Sequence, residues 1–175
     1  MAAGAAFVVT ATLVAVPALA APVVRPDWPQ GLAHTPTDIL DQAGQHRFTS
    51  VYGGMDVLKS DESRIRVYLT RLDPVVEREM RALVPKTTLA FAEVPKTLVQ
   101  LDAMNDRVKA AATRLRGEGV DITEFGPDEQ DGREHIGIDA TRGSGEWKKD
   151  VALLDRAFGA GNIRVHRQEP AVATG

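Results

Sequence analysis

Apolar side chains recur along this chain with two distinct periods. RIRVYLT (residues 64–70) alternates, placing Ile65, Val67 and Leu69 on one face and Arg64, Arg66, Tyr68 and Thr70 on the other. A period of two marks a strand buried on one side, here with a wet, basic outer face. VYGGMDVL (residues 51–58) predicts its hairpin partner, with Gly53 and Gly54 signalling a bulge. A helical period follows Asp73 and Pro74, a capping residue and a first-turn proline, and carries Val76, Met80 and Leu83 before Pro85 ends it. TLAFAEV (residues 88–94) predicts a third strand, closed by Pro95. The clearest helix holds Leu101, Met104, Val108, Ala111 and Leu115 on one side, with Thr97 at its start and Gly117 and Gly119 at its end. VDITEF and REHIGIDA predict two strands around the turn GPDEQDG. A last helix with Trp147, Val151, Leu154 and Phe158 inward then leads to the strand NIRVH, with Ile163 and Val165 inward.

From Thr88 onward the predicted order is strand, helix, strand, strand, helix, strand. That order implies an α+β fold with a ferredoxin-like split βαβ core over residues 88–168, its antiparallel sheet covered by two helices on one face. The preceding hairpin and helix extend this sheet or add a small layer, and the other sheet face stays available to a partner. No sequence repeat or low-complexity tract interrupts the pattern.

The N-terminus adds an address. Residues 1–24 contain no charged side chain, and Phe7 to Val16 form an apolar run followed by Pro17 and the small-x-small site Ala18-Leu19-Ala20. The expectation is a secretory signal over residues 1–20, cleaved after Ala20, with an uncleaved membrane anchor as the alternative. Pro22, Pro26, Pro29 and Pro36 make residues 21–46 an extended arm or linker, with a turn or two of helix over residues 38–44. An α+β domain then spans residues 47–168, and residues 169–175 form a flexible tail.

Composition narrows the function classes. A net charge of −3 over 175 residues offers no basic field for a phosphate backbone, and two Trp, two Tyr and five Phe offer no stacking platform, so nucleic acid is not an expected partner. The chain has no cysteine, which removes disulfides, thiolate nucleophiles and zinc–thiolate sites. Once the signal is cleaved, no membrane contact is expected either.

Candidate chemistry concentrates in residues 125–147, FGPDEQDGREHIGIDATRGSGEW. Asp128-x-Gln130-x-Gly132 begins like a calcium loop and Asp139 stands at its twelfth position. Gly132 at the fifth position has no ligating side chain, however, and Arg133 occupies the sixth, where the sharp turn needs glycine. The reading is therefore a hairpin turn and no metal. Ser144 lies between Gly143 and Gly145, but Arg142 and Glu146 fill the outer positions of a nucleophile elbow, and the serine suits a helix cap better. His135 precedes the inward Ile136 and so points outward with Asp139, while His34, His46 and His166 are scattered without metal spacing. Arg64 and Arg66 read as a solvated face rather than an anion grip. No residue is assigned a catalytic role, no cofactor is expected, and the chain reads as noncatalytic.

Several stretches resemble the pro-region of secreted bacterial chymotrypsin-like serine proteases, especially actinobacterial ones. They are Val51-Tyr52-Gly53-Gly54, the strand at residues 64–70, GVDITEFGPD (residues 119–128), the strand at residues 136–139 and FGAGNIRV (residues 158–165). The resemblance covers about two thirds of the chain, from Arg47 to Pro170. It implies a noncatalytic module that packs its sheet against a protease, assists its folding and inhibits it through the C-terminal segment. The contact residues it implies are Ile163, Val165, His166, Arg167, Gln168, Glu169 and Pro170. Neither a T-A-A-H-C-like nor a G-D-S-G-G stretch is present, so triad chemistry is not expected of this chain. Two other functions fit the same pattern: an exported cell-envelope binding protein of unrelated role, and a small hydrolase using carboxylates that converge in space.

Overall fold

The computed structural model describes residues 34–168, so the expected signal segment and the first half of the proline-rich arm lie outside the described residues. Four helices and six strands follow in the order α1 (Pro36–His46), β1 (Tyr52–Val57), β2 (Arg64–Leu69), α2 (Pro74–Leu83), β3 (Thr88–Glu93), α3 (Leu98–Gly117), β4 (Ile122–Asp128), β5 (Arg133–Asp139), α4 (Ser144–Phe158) and β6 (Ile163–Gln168). Thr35, Asp73 and Thr97 hold extended backbone and accept a first-turn N–H on a side-chain oxygen. At Thr35 and Thr97 the bond is returned by Asp38 and Gln100, which closes two capping boxes. Pro36 and Pro74 sit in the first turn, where a missing N–H costs nothing. Pro36 therefore starts a helix rather than prolonging an arm. Leu40 and Ala43 of that helix are buried in the first core, so ordered structure begins ahead of Arg47.

The fold is α+β, and the expected β-α-β-β-α-β order runs from β3 to β6. The pairing differs in two respects: β3 joins β1 and β2, giving two three-stranded sheets of order β1-β2-β3 and β4-β5-β6, and neither sheet is wholly antiparallel. Each sheet is mixed, an antiparallel hairpin followed by a parallel pair. The physical reason is local. A helix between two strands is the connection that a parallel pair requires, and α2 supplies it for β2 and β3.

The chain thus builds the same α-β-β-α-β unit twice. In both, the register of the hairpin shifts once near the start of its first strand, between Tyr52 and Gly54 and between Ile122 and Glu124. Superposing the registers pairs Leu69 with Ile138, Val67 with Ile136 and Ile65 with Glu134 on the middle strands, and Leu89 with Ile163 on the third. The duplication is one of topology, carried by buried positions that are hydrophobic in both units except where Glu134 matches Ile65.

Each unit has its own core. Ile65, Val67 and Leu69 pack with Leu40, Met80 and Leu89 in the first; Ile136 and Ile138 pack with Val108, Leu115, Leu154 and Phe158 in the second. Helix α3 joins them, with Leu98 against the first core and Met104, Val108 and Leu115 in the second. Among the described residues the second sheet has its helices, α3 and α4, on one face, as expected. The outer face of β2 is not wet along its length, however. Tyr68 is buried there and donates its hydroxyl to Asp56. The segment after β3 crosses above it, close enough that a side chain on Gly53 would meet Val94.

Candidate functional site

The turn that joins β4 to β5 reaches across to the first unit. Glu129 Oε2 accepts a hydrogen bond from the Met55 amide at 2.6 Å, and Gln130 Nε2 donates to Asp56 Oδ2 at 2.8 Å. Behind them Lys96 Nζ donates to the Gly132 carbonyl at 2.7 Å. The amide of Met55 faces the free edge of β1, because the ladder to β2 uses Asp56 and Leu58. A carboxylate covers that edge. Burial raises the Glu129 carboxyl above its usual range, against the lowering effect of the Met55 hydrogen bond. The expected hairpin turn is therefore also a clasp between the units.

Gly54 permits the clasp. Its φ is +117°, and a Cβ there would fall 1.8 Å from Glu129 Oε2. Gly54→Ala is expected to cost about 2 kcal/mol through backbone conformation and crowding together. Adding Glu129→Ala to that variant should cost less than Glu129→Ala costs the parent chain, because the crowding is then relieved. Denaturant unfolding of the two single variants and the double checks this coupling.

The outer face of the second sheet is polar and built from pairs. His166 Nε2 and Glu124 Oε1 are 2.7 Å apart, spanning Gly137, where a Cβ would lie 2.6 Å from Glu124 Cγ. His135 Nε2 is 2.9 Å from Asp128 Oδ2, Arg164 pairs with Asp131, and the two imidazoles meet edge to face at 5.9 Å. One open cleft of about 300 Å³ runs past Glu124, Gly126, His135 and His166. Another of about 350 Å³ lies between the units, walled by Asp56, Asp128, Gln130 and His135. His135 and Asp139 point outward, as the alternation of β5 required.

Residues 163–168 form β6, the outermost strand of its sheet. The amides of Glu134 and Ala140 donate to the carbonyls of Asn162 and Gln168. In a parallel ladder that phase turns the even-numbered residues of β6 toward β5. The backbone groups of Ile163, Val165 and Arg167 consequently face away, onto an edge with no strand beyond it among the described residues. Ile163 is buried and Val165 half-buried against the second core. His166 and Gln168 lie on the outer face. Arg167 stacks its guanidinium on Trp147 at 4.9 Å and reaches the carbonyls of Ala140 and Arg142. Glu169 and Pro170 lie outside the described residues.

Ser144 is the first residue of α4, not its cap. Gly143 takes the capping position, and its amide donates to Glu146 Oε2 at 3.2 Å. Glu146 thus supplies the returning half of a capping box, while no side chain caps the first-turn amides. His135 and His166 engage Asp128 and Glu124 rather than Ser144, so no Ser–His pair forms here.

Glu134 went unnoticed in the sequence. It is fully buried, neither carboxylate oxygen has a hydrogen-bond partner, and burial followed by the nearby Asp102 pushes its carboxyl up to about 7. The signal was available. Glu134 stands two residues before the inward Ile136, so the alternation that buries Ile136 buries the acid too.

Compared with known proteins, the chain matches no protein-family model and no curated sequence.

Proposed function

We propose that this chain is a secreted, noncatalytic binding module whose partner is a chymotrypsin-like serine protease, which it inhibits or helps to fold. The observation that carries this reading is the free edge of β6. The outward backbone groups of Ile163, Val165 and Arg167 lie in a row, and the chain leaves that strand directly into residues 169–175. An edge strand gives affinity through main-chain hydrogen bonds, and a segment continuing from it can lie along a cleft. The resemblance of residues 47–170 to protease pro-regions supplies the partner class. The pair of His166 with Glu124, which starts on β6 itself, supplies polar groups for the rim of such an interface.

The test is a titration of secreted chymotrypsin-like proteases with residues 21–175, beside a version that ends at Gln168 and keeps β6 whole. Saturable inhibition by the longer chain, weakened in the shorter one, is the expected result. A folded chain that inhibits no member of a broad panel and instead associates with the cell envelope would replace this reading with that of an envelope-binding protein.

A further inference from the structure

We propose that Asp128, Asp131 and His135 bind a divalent transition-metal ion of the zinc class at the tip of the β4–β5 hairpin. The proposal is independent of the protease reading. One ligating atom from each of the three residues lies within 4.8 Å of the other two. They come from the end of β4, the turn and the outer face of β5, so the hairpin backbone sets their spacing.

The second observation concerns the imidazole. His135 Nε2 lies 2.9 Å from Asp128 Oδ2, yet it makes no hydrogen bond and is shielded from solvent. The ring nitrogen thus has Asp128 as a close neighbour but lacks the hydrogen bond that a shielded nitrogen normally makes. A cation at the point the two atoms share takes its place. Asp128 is already oriented for this role: its Oδ1 accepts from the amides of Gln130 and Asp131 at 2.9 and 3.1 Å, which leaves Oδ2 for the ion. Arg164 holds Asp131 from β6, the kind of outer partner that fixes a ligating carboxylate.

The donor set selects the ion. One imidazole nitrogen with two carboxylates is a borderline set, suited to Zn²⁺ or Co²⁺, whereas Ca²⁺ and Mg²⁺ take oxygen alone. Three protein ligands leave coordination positions open, and Asp128 and His135 line the 350 Å³ cleft into which these would face. The topology does not demand this cluster. In the first unit Leu58 and Arg66 hold the positions of Asp128 and His135, and the strands pair the same way. Bound there, the ion would stiffen the turn that presents Glu129 and Gln130 to the first unit.

The experiment is a calorimetric titration of the folded, metal-stripped chain with Zn²⁺, with Co²⁺ as a spectroscopic probe. About one ion per chain is expected, with a rise in melting temperature and an affinity that falls as pH is lowered, because the imidazole must be neutral to ligate. His135→Ala and Asp131→Asn should each weaken binding roughly tenfold or more at unchanged circular dichroism. His166→Ala, which alters the neighbouring ring outside the triad, should leave binding intact. Should His135→Ala fail to fold, Asp131→Asn carries the test. Absence of Zn²⁺ heat and of a Co²⁺ spectrum with the folded chain overturns the proposal, as does binding that survives in the folded variants.

Discussion

At pH 8 the Glu134→Ile variant is expected to be more stable than the parent chain by roughly 1–3 kcal/mol, the usual cost of a buried polar group without a partner. Ile65 occupies the same register position in the first unit, equally buried, so the fold accepts isoleucine there. The gain should also depend on pH. With the Glu134 carboxyl near 7 in the folded chain and at its ordinary 4.5 when unfolded, the folded state holds the extra proton between those values. Parent stability therefore falls as pH rises from about 4.5 through about 7, and above that range the full penalty persists. In Glu134→Ile this component disappears, and the difference between the two proteins narrows toward pH 5. Denaturant midpoints at pH 5 and 8 decide the matter. A variant less stable than the parent at both values would mean that the carboxylate has a stabilising partner after all.

Proline substitutions in β6 separate main-chain recognition from side-chain recognition. Val165→Pro removes an N–H that faces the free edge, where a sheet tolerates proline. It should leave the chain folded and, if the proposed protease is the partner, weaken its binding by about tenfold or more, the value of a main-chain hydrogen bond at an interface together with the steric block to pairing. Arg164→Pro removes an N–H that points into the ladder with β5 and should destabilise the second unit outright. Binding constants for the first variant and melting curves for both provide the check. If Val165→Pro binds as well as the parent, the edge is not the contact, and the outer face with Glu124 and His166 becomes the place to look.

Much of this architecture was legible because period and punctuation are local properties. The alternation in residues 64–70 and the three- and four-residue steps from Leu101 to Leu115 reappear as β2 and α3. The first helix is longer than residues 38–44 because Pro36, which suggests extended chain, stands in its first turn behind the cap at Thr35. Strand partners beyond the two hairpins were not legible: whether β3 joins the strands before it or after it depends on packing between segments far apart in sequence. The duplication stayed hidden for a related reason. Matching core positions share burial and, Glu134 apart, apolar character, while the outer positions diverge, as Arg66 does from His135 and Tyr68 from Gly137. The site shows the same division. Glu134 follows from strand phase alone, but the approach of Asp128, Asp131, His135 and Arg164 needs a turn and a neighbouring strand in place.

Helix α3 belongs to both cores, which has a consequence for the order in which the chain folds. During synthesis the first unit emerges complete once Leu98 has appeared, since nothing in its core lies later in the sequence. The second unit then assembles on a helix whose first turn is already anchored, which lowers the entropy of bringing β4 to β6 together. Hydrogen exchange should accordingly find the slowest amides in the strands of the first unit, with the amide of Met55 under the Glu129 clasp exchanging faster.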